Sequence, residues 1–397
     1  MILDSLLYLS DGKLPSPLAD SIQITKMSEV FGQQLHHFEL VASGDWRSLF
    51  IAPMDQPFAT WYGVQTPFTL RRLPILRHAP AVFDPEAYAP RGYIKAALAY
   101  AQWLKQYAKL RRWTQVVYTR TPFFVPFLLQ QRHPIILEYH EPLGSRAFER
   151  SWWHHPNFLG VVTTGPELAQ GYQALGARPH QIYIQPNAAA TGLFQPAQTQ
   201  TEARHTLNWS CDRPILMYAG QLFDYKGIPL ILNLAARLPH CQFVLVGGTP
   251  EDVERVRAIA AARHLTNVQL TGHISQQQLP TYLYAADILL LTTSKHWDQA
   301  PVTSPLKLFD YMSVQQPIVA SNLPNIATIL KDGYNGRLAQ PDDVESFAEA
   351  ILDLLAQPKQ AQVLAQQAYL TVQQKTWTIR AQRIIQFIEQ RLWAVMT

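Results

Sequence analysis

Short, wholly apolar runs recur along the second half of the chain, separated by amphipathic stretches. They are Ile215-Leu216-Met217-Tyr218 ending at Gly220, Phe243-Val244-Leu245-Val246 ending at Gly247-Gly248, a weaker Val268-Gln269-Leu270, Ile288-Leu289-Leu290-Leu291, and Ile318-Val319-Ala320. Runs this short, without polar alternation, predict strands buried on both faces of a parallel sheet. Between them, Glu251 to Arg263 and Ser275 to Ala285 read as helices. Ser275 with Gln278 three residues on forms a capping-box pattern. Strands alternating with helices predict a doubly wound α/β domain.

The first half repeats the theme less regularly. Leu6-Leu7-Tyr8-Leu9, Val116-Val117-Tyr118, Ile135-Ile136-Leu137 and Leu159-Gly160-Val161-Val162 predict strands. Asp20 to Gly32 predicts a helix, with Ile24, Met27 and Phe31 on one face. Residues 45–95 are irregular and Pro-rich, and read as an insertion. The polar, aperiodic stretch from Gln195 to Thr201 opens a predicted linker, 195–213. Thr376 to Val395 reads as one more amphipathic helix. The expected organisation is a Rossmann-like domain 1–194 completed by a C-terminal helix 378–397, the linker, and a second Rossmann-like domain 214–377. A cleft is expected between the two, with ligands at the carboxyl ends of the strands.

The chain has 397 residues, 48% hydrophobic and 16% charged. That composition is globular and excludes a disordered chain. Two cysteines, Cys211 and Cys241, exclude a disulfide scaffold and a Cys-ligated zinc site, and read as buried apolar residues in a reduced compartment. No apolar run approaches the roughly 18 residues of a membrane span. The N-terminus lacks the basic region of a signal peptide, so a cytoplasmic protein is expected.

The net charge is +4, and residues 60–130 carry ten basic residues against Asp84 and Glu86. Such a patch suits an anionic membrane surface, a phosphorylated acceptor or nucleic acid, and a solvated helix face is the plainer alternative. No nucleic-acid motif accompanies it, so nucleic acid is not an expected partner. Trp152-Trp153 before His154-His155 reads either as an interfacial membrane anchor or as partial core packing. There is no Asp-x-Asp, and the thirteen histidines include adjacent pairs that cannot share a helix face. No metal and no cofactor are expected.

The sharpest local signal is Thr303-Ser304-Pro305-Leu306-Lys307-Leu308-Phe309-Asp310-Tyr311-Met312. Ser304 reads as an N-cap and Pro305 as the first helical residue. Leu306 and Lys307 then offer backbone N–H groups at a positive helix end, which suits an anion. Asp310, on the face of Lys307, lies about 9 Å along the axis from the cap. That is roughly the span from a diphosphate to a ribose, whose hydroxyls a carboxylate accepts. A capped structural helix with a surface Lys–Asp pair is the other reading. The second signal, Gly220-Gln221-Leu222-Phe223-Asp224-Tyr225-Lys226-Gly227, follows a strand and opens a helix, with Lys226 placed to reach a phosphate. It matches neither a Walker loop nor GxGxxG.

Taken together, residues 218–227, Val246-Gly247-Gly248, Leu270-Thr271-Gly272-His273, Ala285 to Leu291, Ser304 to Met312, Pro317 to Ser321 and Asp332-Gly333-Tyr334-Asn335-Gly336 resemble the donor-binding half of family 4 glycosyltransferases. The resemblance covers roughly 213–377 and identifies a subgroup with a Ser-Pro-x-Lys donor-binding helix. It extends more loosely to Asp11 to Gln23, Leu137-Glu138-Tyr139-His140-Glu141-Pro142 and Trp377. It implies the GT-B fold, two Rossmann-like doubly wound α/β domains facing a central cleft, and a retaining enzyme using a nucleotide-sugar.

The resemblance implies that Lys226 binds the donor diphosphate, with Ser304, Pro305, Leu306 and Lys307 cradling it. Asp310 would hold the ribose, and Gly272 with His273 would touch the base. Gly220, Gln221 and Gly247 would line the donor site, His140 would face the sugar, and Ser16 and Glu138 would line the first domain's side. The expected catalytic residues are His140 and Lys226. Members often carry Arg at the place of Gln221, an acid at Val302, Glu at Asp310, and an Asp near the end of the run Asn187-Ala188-Ala189-Ala190. The implied acceptor is a glycan, a glycolipid or a polysaccharide precursor, with peripheral membrane contact through the basic first domain. The alternatives are a non-catalytic nucleotide-sugar-binding partner subunit of a glycan assembly complex, which the departures motivate, and a sugar-nucleotide epimerase.

Overall fold

The computed structural model describes residues 2–16, 19–44, 54, 56–74, 116–142, 151–210 and 212–396. Cys211, most of the Pro-rich segment and seven of the ten basic residues in 60–130 lie outside them. The chain divides into two compact units, 1–186 with 378–397, and 187–377.

The first unit is a seven-stranded parallel sheet of order β3-β2-β1-β4-β5-β6-β7. Its strands are β1 Ser5–Lys13, β2 His37–Gly44, β3 Leu70–Pro74, β4 Val116–Thr119, β5 Ile135–Glu138, β6 Phe158–Thr163 and β7 Ile182–Ile184. The four apolar runs form β1, β4, β5 and β6, four of the five interior strands. β2 was not expected, because Glu39 interrupts its apolar pattern. That carboxylate accepts from Arg71 Nε of β3 at 2.5 Å, which lets a charged residue lie beside the sheet edge. The Pro-rich insertion is corrected in part, since it supplies the helix Gln56–Tyr62 and the edge strand β3. The helix Ala19–Gln34 buries Ile24, Met27 and Phe31, as its spacing predicts.

Trp152 and Trp153 are 2% and 1% exposed, which corrects the membrane-anchor reading. Trp153 meets Phe158 edge-on at 5.2 Å and lies 6.4 Å from Tyr172, so both indoles are core groups. Among the basic residues described in 60–130, Arg71 is paired with Glu39, and Arg120 bonds side chains at the end of β4. Among the described residues no helix is long and apolar enough to cross a membrane.

The second unit is a six-stranded parallel sheet of order β10-β9-β8-β11-β12-β13. Its strands are β8 Ile215–Ala219, β9 Gln242–Val246, β10 Val268–Gly272, β11 Ile288–Leu291, β12 Ile318–Ser321 and β13 Arg337–Ala339. Successive residues of β8 feed opposite cores: Ile215, Met217 and Ala219 one face, Leu216 and Tyr218 the other. Helices cover both faces, so every residue of the strand is buried. β10 sits at the sheet edge, which is why its run is the least apolar.

The linker reading is corrected. Residues 187–213 belong to the second unit, and Gln200–Thr206 is a helix within them. Thr199 caps it by accepting from the Glu202 N–H while Glu202 accepts from the Thr199 N–H. Arg204 of this helix donates to Asp287 at 2.6 Å, pinning the segment to the sheet. A polar stretch thus folds through its cap and one ion pair rather than through apolar periodicity. The last helix is Trp377–Met396, and residues from Thr378 onward pack in the first unit.

In each sheet the strand order reverses beside the first strand of the unit, between β1 and β4 and between β8 and β11. The carboxyl ends there are the expected binding places of doubly wound sheets.

Candidate functional site

In the second unit, the carboxyl ends of β8, β9 and β10 run into Gly220, Gly247 and Gly272. The Gly220 N–H donates to Val246 O at 2.8 Å, and the Gly247 N–H to Gly272 O at 2.9 Å. Three backbones therefore close side by side. A Cβ on Gly220 would lie 2.6 Å from Lys307 Nζ, so the glycine leaves the space the ammonium occupies. Lys307 Nζ stands 3.8 Å from the centroid of the Tyr218 ring. Burial, and then the charge of Lys226, hold its ammonium well below the usual lysine range.

Lys226 lies in the turn after Gln221. The Lys226 N–H donates to Phe223 O, and Thr292 Oγ1 at the end of β11 donates to Lys226 O at 2.8 Å. Gly227 follows with φ +86°, and a Cβ there would lie 1.9 Å from Thr292 O. Only glycine makes this approach, which sets Lys226 against β11. Gly227→Ala is therefore expected to destabilise the second unit by about 3 kcal/mol or more. Urea unfolding followed in that unit checks this, and a loss under about 1 kcal/mol would contradict the clash.

Burial pushes Lys226 down to about 8. Among the described residues neither Lys226 nor Lys307 has an acidic partner, and each ammonium rests on aromatic rings. Two cations within electrostatic reach and without a carboxylate form a place for a polyanion.

The helix entry differs from expectation. Pro305, not Ser304, takes the cap position, and the helix is Leu306–Met312. Ser304 is drawn away, because its Oγ accepts from the Asn187 N–H at 3.0 Å and its carbonyl from Asn187 Nδ2 at 2.6 Å. Asn325 Nδ2 donates to Thr303 O. Two amide side chains thus fix the extended peptide that leads into the helix. Leu306, Lys307 and Asp310 are half-buried, and His273 is exposed after Gly272. Gln221 offers its carbonyl to the Tyr218 hydroxyl at 2.6 Å. Asp224 accepts from Arg255 Nη1 at 2.9 Å and takes no place among the lysines.

In the first unit, Glu138 at the end of β5 is fully buried. Its Oε1 accepts from Gln23 Nε2 at 2.6 Å, Arg380 Nη2 at 2.5 Å and His140 Nε2 at 2.9 Å. Its Oε2 accepts from the Tyr118 hydroxyl at 2.6 Å. Arg380 leads the groups that hold this carboxyl well below the ordinary carboxylate range, against the cost of burial. Arg120 Nη1 donates to Gln23 Oε1, and Nη2 faces His140 Nδ1 at 3.3 Å. A guanidinium only donates, so Nδ1 is the acceptor and Nε2 carries the proton that Glu138 receives. Burial and then Arg120 push the imidazole down to about 4, so it is neutral. Both nitrogens of His140 are engaged inside the unit. Ser16 is fixed through its backbone, its N–H donating to Tyr62 Oη at 2.7 Å.

Residues 199–371 match the family model described as glycosyl transferases group 1. That match lies wholly within the second unit. Alpha-D-kanosaminyltransferase from Streptomyces kanamyceticus is 25% identical over 51% of this chain and 51% of its own. The chain spans about half the length of the curated relatives it matches. A sucrose-phosphate synthase from Thermosynechococcus elongatus aligns with a TM-score of 0.74 at 19% identity, over 98% of this chain and 100% of that one. Anabaena HepE, in complex with UDP and glucose, aligns at 0.70 with 14% identity, over 97% and 99%. These likenesses carry the fold: two Rossmann-like units of the GT-B class.

Within the second unit, the structure brings Gly220, Gln221, Lys226, Lys307 and the helix entry to one end of the sheet, at the β8–β11 reversal. The sequence reading missed Tyr218, Tyr225 and Trp297 as seats for the lysines, and in the other unit Arg120 and Arg380 around Glu138. Arg380 lies 242 positions from Glu138. No local pattern announces such a pair. Arg120, following a strand run, was visible only as part of a charge count.

Proposed function

We propose that the chain is a glycosyltransferase that takes its sugar from a nucleotide-sugar and passes it, with retention, to a glycan, glycolipid or polysaccharide-precursor acceptor. The observation that carries this is the pair Lys226 and Lys307, two ammonium groups at the carboxyl ends of β8 and β11 that have no carboxylate partner among the described residues. That charge pattern suits a donor diphosphate. The helix entry at Ser304 to Lys307 supplies further N–H groups, and Asp310 suits the ribose hydroxyls. Gly220, Gln221, Gly247, Gly272 and His273 complete the donor side. UDP with glucose in the HepE structure supports the same ligand class.

In this reading the bond from the anomeric carbon to the diphosphate oxygen breaks. The acceptor hydroxyl bonds to that carbon from the same face, and its proton passes to the departing phosphate oxygen. The step needs charge stabilisation at the diphosphate, not a side-chain nucleophile, and Lys226 with Lys307 supply it. It needs no metal. His140, neutral and bonded on both nitrogens, acts as an organiser of Arg120 and Glu138. Membrane contact of the basic segment belongs to the same proposal, as a route to lipid-linked acceptors.

A thermal-shift panel with UDP, GDP, ADP and their sugar conjugates tests the donor reading. One nucleotide class at 100 times its Kd is expected to add about 2.7 kcal/mol of stability. No response to any of them would overturn the reading. Transfer without donor-dependent nucleotide release would overturn the chemistry.

A further inference from the structure

Lysines that hold phosphate are commonly steadied by a neighbouring carboxylate, which also cancels part of their charge. Lys226 is steadied differently. Its backbone is tied at both ends, by Phe223 O and by Thr292 Oγ1, so the side chain leaves the turn in a set direction. Its Nζ then lies 4.2 Å from the centroid of the Trp297 ring and 5.0 Å from that of Tyr225. The two rings stack on each other at 4.7 Å and 27°. Tyr225 is backed in turn by Phe223 at 5.3 Å.

The backbone that carries the two rings is fixed. The Ser294 N–H donates to Tyr225 O at 3.0 Å, and the Ala300 N–H to Trp297 O at 2.8 Å. Trp297 is half-buried and packs against the core of the sheet face that carries Leu308 and Tyr311. It belongs to the segment between β11 and the helix Leu306–Met312. An aromatic face attracts a cation through its quadrupole without carrying a negative charge. The ammonium is therefore oriented and still has its whole charge for an incoming oxyanion.

We propose that Trp297, with Tyr225 stacked on it, is a positioning residue that seats the Lys226 ammonium for a diphosphate. The inference rests on the reading that Lys226 meets the donor's diphosphate, and it adds the group that sets the lysine's place. Trp297 touches no reacting atom. Its effect passes through Lys226 alone.

The test uses the full chain and inorganic pyrophosphate as the probe, with binding measured by calorimetry at neutral pH and low salt. Wild type is expected to bind, and Lys226→Ala to bind weakly. Trp297→Leu is expected to weaken pyrophosphate about 5- to 20-fold, and Trp297→Phe to return to within about threefold of wild type, since a phenyl ring keeps the quadrupole. Trp297→Leu placed on Lys226→Ala is expected to cost nothing further. Should Trp297→Leu not fold, Tyr225→Leu carries the same comparison through the other ring.

Absence of pyrophosphate binding by wild type would overturn the diphosphate reading itself. Binding by wild type that Lys226→Ala weakens and Trp297→Leu leaves unchanged would overturn only the seat. So would equal losses in Trp297→Leu with and without Lys226, because a merely structural tryptophan costs the same in both backgrounds.

Discussion

Arg380→Ala is expected to remove about 3–5 kcal/mol from the stability of the first unit, by leaving the Glu138 charge buried beside fewer donors. Arg380 does more than neutralise. Its Nε donates to Pro186 O at 2.9 Å and its Nη2 to Glu138 Oε1, so one side chain ties the last helix to the end of β7 and to β5. Glu138 has no water to fall back on, because it is fully buried. Gln23 and Tyr118 still donate to it, but neither carries charge. The measurement is urea unfolding followed by a probe in the first unit, since two units need not unfold together. A loss under about 1 kcal/mol would mean that the carboxylate is adequately held by Arg120 and the neutral donors.

The same network predicts acid sensitivity. His140 is pushed down to about 4 in the folded unit, while a free histidine titrates near 6.5. The unfolded chain therefore binds a proton first, and stability falls as pH drops from about 6.5 to about 4, by up to about 3 kcal/mol. Glu138, depressed in the fold, adds its own loss at still lower pH, as its folded carboxyl takes up a proton. His140→Gln is expected to flatten the upper part of this profile.

The other large effect is on diphosphate affinity. Lys307→Ala is expected to weaken a bound nucleoside diphosphate about 10- to 100-fold, the worth of a charge-assisted contact. The pH dependence follows from the seats. Burial pushes Lys226 to about 8, and Lys307 lies well below the usual lysine range. A bound anion favours both protonated forms, so binding draws in protons wherever the free amines are neutral. Affinity is then greatest at low pH and declines as pH rises through about 8, by up to tenfold per unit for each lysine. Calorimetry of the best-binding nucleoside diphosphate from pH 7 to 9.5 checks this. A flat profile would place the anion away from the lysines.

The sequence by itself determined much of this protein. The wholly apolar runs at Leu6, Val116, Ile135, Leu159, Ile215, Phe243, Ile288 and Ile318 specify interior parallel strands, since a strand covered on both faces can carry little polarity. The edge strands β3, β7 and β13 escaped, because half-exposed strands tolerate residues such as Arg71 and Arg337, and the interior β2 escaped because Glu39 interrupts its apolar run. The placement of Lys226 after a strand and of Lys307 at a helix start was legible, because local backbone geometry sets both.

Tertiary structure decided the rest. Ser304 looked like a helix cap until Asn187, more than a hundred positions earlier, claimed its hydroxyl and carbonyl. The partners of both His140 nitrogens, Glu138 and Arg120, came from the ends of two neighbouring strands. The aromatic seat of Lys226 joins Tyr225 to Trp297 across the β8–β11 reversal, and the Glu138–Arg380 pair joins β5 to the last helix. Long-range pairs of this kind leave no period in the sequence. They depend on which chain ends the sheet brings together, and burial then makes each remaining polar contact obligatory.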